Sequence, residues 1–80
     1  MLVAMKAKPQ ETLLRQLGER IRMLREEKGL RQEDFEDEGP LSLAARSLQE
    51  IEYGNANPRA YTLYKIATRC GVKVRDIIDF

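Results

Sequence analysis

Leu14, Leu17, Ile21 and Leu24 fall at spacings of three, four and three. That spacing lays one apolar stripe along an amphipathic helix. The same rhythm returns at Leu63, Ile66, Ala67 and Cys70, and no segment alternates with a period of two. Eighty residues leave room for one small core, so the expected fold is all-α, a compact five-helix domain. A first helix is expected over 11–28, stopped by Gly29. A second, short one begins near Gln32 and buries Phe35, with Leu30 beneath its start. Gly39 and Pro40 break the chain, and Ser42 is expected to cap a third helix that turns Leu48 and Ile51 inward and ends at Gly54. A fourth helix starts close to Pro58 and stops at Gly71, with Tyr64 partly in the core. A last one, over 74–79, offers Val74, Ile77 and Ile78.

Composition removes several classes of function. Cys70 is the single cysteine and there is no histidine, so neither an internal disulfide nor a zinc site is expected. Cys70 sits on an inward stripe and reads as a buried small hydrophobe. A lone thiol suits a reducing cytoplasm. No apolar run approaches the roughly 20 residues that span a bilayer, and the apolar stretch in the opening "MLVAMKAK" is too short for a signal peptide to be expected. Without a nucleophile–base pair, phosphate loop or metal cluster, no enzyme and no cofactor are expected. The net charge of +1 conceals a pattern. Residues 1–31 carry eight basic and four acidic side chains, and 53–80 carry five and two. Residues 32–52 set Arg46 alone against seven carboxylates.

The succession "LGERIRMLREEKGLRQEDF", "LQEIEYGNANP" and "LYKIATRCGVKVRDII" resembles the Cro/phage-repressor-type (XRE-like) helix-turn-helix family. The match runs from about Leu17 to Ile78. The resemblance implies a lambda-repressor-like domain whose helices 2 and 3 form the helix-turn-helix, a homodimer on a palindromic operator in double-stranded DNA, and transcription regulation as a repressor or controller. In such proteins the third helix enters the major groove. The chain is expected to divide into a flexible N-terminal extension, 1–10, and a single helix-turn-helix domain, 11–80. The sequence departs from the family in three places. About two extra residues fall at "GPLS". Glu36 stands where a small residue is usual, and must tilt to water or find a cation. The loop "YGNAN" lacks the usual basic residue.

Aligned backward from Ile51, the resemblance puts Ala45, Arg46 and Glu50 at base-reading positions, with Gln49 on the adjacent row. Arg46 can fork onto guanine and Gln49 can pair with adenine. The plainer alternative is that Arg46 and Glu50 pair with each other as i,i+4 neighbours. Phosphate contacts are expected from Gln32, at the start of the second helix, and from Ser47, Asn55, Asn57 and Arg59. The asparagines also suit simple turn chemistry. The resemblance further implies an ion pair, Arg25 with Glu52, tying the first helix to the third. Ile77, Ile78 and Phe80 form an apolar end suited to a two-fold contact. Two function classes follow: a dimeric DNA-reading regulator, or a helix-turn-helix domain repurposed as a protein-interaction module with an acidic face.

Overall fold

The computed structural model describes residues 9–78, and its helices are α1 (Pro9–Glu27), α2 (Ala45–Glu52), α3 (Ala60–Cys70) and α4 (Val74–Ile78). One 3₁₀ turn, Gln32–Phe35, lies between α1 and α2. Among the described residues the architecture is therefore all-helical with four α-helices, not five. The expected second helix stops after a single turn for a local reason. The Phe35 carbonyl accepts a hydrogen bond from the Leu43 N–H at 2.8 Å, and Glu36 is already extended. A continuing helix needs that carbonyl for itself.

α1 starts two residues inside the expected extension, with Pro9 in its first turn, where a missing N–H costs nothing; residues 1–8 of that extension lie outside the described residues. Leu17, Ile21 and Leu24 are buried along its inner stripe, with Leu14 packed at the edge. α1 lies against α2, α3 and α4, while the 3₁₀ turn packs on α2 and α4 packs on α3. Phe35, Leu43, Leu48, Ile51, Ile66, Ala67, Cys70 and Ile77 complete the core. Burial pushes the Cys70 thiol pKa up, which keeps it protonated and unreactive.

Two details correct the expected boundaries. Ser42 does not cap α2, which begins three residues later behind Ala44, a residue with no side-chain acceptor to offer. The Ser42 hydroxyl instead accepts from the Asp37 N–H at 3.2 Å, inside the turn. Tyr64 is 52% exposed and stacks on Tyr61 with ring centroids 6.0 Å apart, so it belongs to the surface.

Gly18 was silent in the sequence and is decisive in the packing. It faces the end of α2 so closely that an added methyl would stand 2.5 Å from the Glu52 carbonyl oxygen, and nearer still to that of Ile51. The absence of a side chain lets the two helices meet backbone to backbone. We therefore expect Gly18→Ala to cost about 1–3 kcal/mol, through overpacking. Gly39→Ala, whose nearest new neighbour would be 3.5 Å away, should shift stability by less than about 0.5 kcal/mol. Urea denaturation of both variants checks the contrast.

Candidate nucleic-acid interface

Arg25 and Glu52 meet at the foot of the helix-turn-helix unit. Arg25 Nε donates to Glu52 Oε2 at 2.7 Å and Nη2 donates to Oε1 at 3.0 Å. Nη1 donates to the Leu30 carbonyl at 2.7 Å. The side chains are 10% and 2% exposed, and the bond to Glu52 holds the guanidinium above its usual pKa. Gln32, expected on a phosphate, donates its amide to Glu52 Oε1 at 3.1 Å. One carboxylate thus gathers α1, the 3₁₀ turn and α2.

The base-reading candidates lie on the outer side of α2. Arg46 is 82% exposed, and its Nε stands 3.6 Å from Glu50 Oε2, so the i,i+4 pair forms loosely. Gln49 Nε2 lies 3.5 Å from the Tyr53 hydroxyl, to which it donates. Gly54 adopts a left-handed φ of +79°, closing α2 with the Asn55 N–H on the Glu50 carbonyl at 2.9 Å. That turn folds the exit loop back beside the helix. As a result Arg46, Ser47 and Glu50 of α2 and Asn57 and Arg59 of the loop surround one open groove, floored by Ile51 and Ala56. Ala45 sits at the start of α2, and Asn55 is exposed beyond this groove. Gln32 and Tyr53 belong to a separate cleft beside α1, shared with Arg22 and Arg31. Those two arginines are phosphate-capable groups that the sequence reading passed over. Of the apolar end, Ile77 is fully buried in the chain's own core, Ile78 is 46% exposed, and Phe80 lies outside the described residues.

The acidic segment is largely satisfied from within. Asp34 pairs with the Arg31 guanidinium at 3.0 Å, and that bond holds its pKa below the usual carboxylate range. Glu36 is the surprise. Its Oε2 accepts the Ala45 N–H at 2.7 Å, so it finds the positive end of α2 rather than a cationic side chain. Asp37 pairs with Arg69. Arg69 is one rung of a ladder on α3 that holds down the turn between Phe35 and Ala44. The Tyr61 hydroxyl donates to the Pro40 carbonyl at 3.4 Å, Lys65 Nζ to the Ser42 carbonyl at 3.0 Å, and Arg69 Nη1 to the Asp34 carbonyl at 3.3 Å. Tyr61, Lys65 and Arg69 are spaced four apart, a helical row visible in the sequence but not read there.

This arrangement is that of a helix-turn-helix domain, and the comparisons agree. A family described as "Helix-turn-helix domain" matches residues 18–78, and the chain belongs to it. The chain is also similar to the HTH-type transcriptional regulator DdrOP3 of Deinococcus deserti, at 36% identity over 63 residues. That match covers 79% of this chain but 47% of the relative, so the chain spans about half the relative's length. No solved structure matches.

Replacing either Arg25 by Met or Glu52 by Leu strands a buried charge and should cost about 3–5 kcal/mol, whereas the double replacement should regain most of it. Urea midpoints of the two single variants and the double variant test this. Two single variants each within 1 kcal/mol of the parent would contradict it.

Proposed function

We propose that this chain is a sequence-specific double-stranded DNA-binding transcriptional regulator of the Cro/phage-repressor type, acting as a homodimer with α2 in the major groove of a palindromic operator. The observation that carries the reading is the gathering of Arg46, Ser47, Asn57 and Arg59, from two separate segments, around one groove beside α2. Family membership and the name of the Deinococcus deserti relative point the same way.

In this reading Arg46 forks onto guanine O6 and N7, Gln49 pairs with adenine, Glu50 accepts from cytosine N4 and Ala45 meets a thymine methyl. Arg46 has to leave Glu50 to do so. An exposed ion pair is worth only about 0–1 kcal/mol, and at 3.6 Å this one is loose, so a bidentate base contact outweighs it. Ser47, Asn55, Asn57 and Arg59 grip the backbone on one flank. Gln32, held in place by Glu52, serves the other flank with Arg22 and Arg31 nearby. Ile78, exposed on α4, supplies the two-fold contact and sets the two copies of α2 about one DNA turn, ~34 Å, apart. The chain acts by binding and needs no catalytic group or cofactor.

The acidic segment argues less against this than its charge suggests. Five of its seven carboxylates have partners: Asp34, Glu36, Asp37, Glu50 and Glu52. A protein-interaction module using an acidic face would need those charges free.

Selection from a random duplex library, run at two salt concentrations, should enrich a two-fold symmetric site. Arg46→Ala should lose about 1–3 kcal/mol of discrimination at one base position, and log affinity should fall linearly with log salt concentration. A library that yields no preferred sequence would sink the proposal.

A further inference from the structure

α2 begins without a cap of its own. Ala44, at its N-cap position, has no side-chain acceptor, and the first turn of α2 holds no acidic residue. A short helix of eight residues has little to spare at such an end. The missing acceptor comes from nine residues upstream, where Glu36 Oε2 takes the Ala45 N–H. Glu36 is itself placed by extended backbone at the end of the 3₁₀ turn and by the Phe35–Leu43 hydrogen bond beside it. The turn between is pinned to α3 through Pro40, Ser42 and Asp37. The backbone that carries this carboxylate is therefore held from both sides.

From this geometry we infer that Glu36 is the positioning residue of the recognition helix, a cap supplied by the lengthened turn. It acts through the Ala45 amide and touches no base. Resting on the DNA-reading proposal above, it aims Ala45, Arg46 and Gln49. The extra residues of the turn then have a purpose: they bring the chain back so that residue 36 can reach residue 45. The carboxylate also occupies the end of α2 where an anion would otherwise be favoured. Discrimination by this chain thus rests on base edges more than on a phosphate at that helix end.

Two variants separate the cap from its charge. Both E36Q and E36A remove the negative charge, but only E36Q keeps an oxygen that can accept the Ala45 N–H. Amide hydrogen exchange on the free protein is the first readout. The Ala45 amide should exchange about fivefold faster in E36A, matching the loss of one typical cap, and stay within about twofold of the parent in E36Q. Equal protection of Ala45 in all three proteins overturns the inference whatever the DNA experiments give. The second readout is the ratio of affinities for the selected duplex and a scrambled one. It should drop about fivefold in E36A and hold within about twofold in E36Q. If both variants change that ratio alike, Glu36 acts by charge alone and the inference fails. If the parent protein selects no sequence while Ala45 loses protection only in E36A, the cap stands and the DNA-reading proposal is what falls.

Discussion

The buried pair of Arg25 and Glu52 is the constraint on which the rest of the molecule depends. A guanidinium and a carboxylate removed from water must find each other with good geometry, because an unmatched one is costly. Here they meet through two hydrogen bonds, and the spare donor of Arg25 closes on the Leu30 carbonyl. That pairing ties the C-terminal end of α2 to α1. Gly18 tightens the same junction by letting the α1 backbone approach the last carbonyls of α2. The pair also decides where Gln32 points, since Glu52 is its acceptor. A single ionic contact in the core thereby orders the outer surface of the helix-turn-helix unit.

At the opposite end of α2 the order comes from electrostatics at the surface. A segment that reads as one acidic block in the sequence is divided in space among a helix terminus, an arginine beside it in the chain and an arginine on α3. Glu33 and Glu38 have no ion-pair partner among the described residues. The block therefore holds a long turn in shape more than it presents a charged face. Such a turn, eight residues between Phe35 and Ala44, would otherwise be expensive to order.

Much of this was legible in the sequence, for identifiable reasons. The inward stripes of α1 and α3 could be read because buried faces repeat with the helical period, and the ends at Gly29 and Gly71 because both glycines take a left-handed φ of 71° there. The Arg25–Glu52 pairing came from the family resemblance, since two residues 27 positions apart in the chain carry no local signal. The turn misled. Ser42 has the chemistry of a cap, but the chain needed it within the turn, and a cap from Glu36 involves a long-range contact that no local motif encodes. Tyr64 misled in another way: it lies one position after Leu63, and adjacent residues on a helix lie about 100° apart. Ile77, assigned to a surface contact, is core because α4 turns that side toward α1 and α3, a choice set by tertiary packing alone.

An NMR titration of the labelled protein with a duplex it selects maps the DNA-facing surface residue by residue. Amide shifts are expected to concentrate on Ala45–Glu50 and Asn55–Arg59, with a second set at Gln32 and Arg31, and to leave the exposed Leu13 and Met23 on α1 unmoved. Shifts centred on α1 or on the Tyr61–Tyr64 surface of α3, with α2 unaffected, would rule out α2 as the helix that reads DNA.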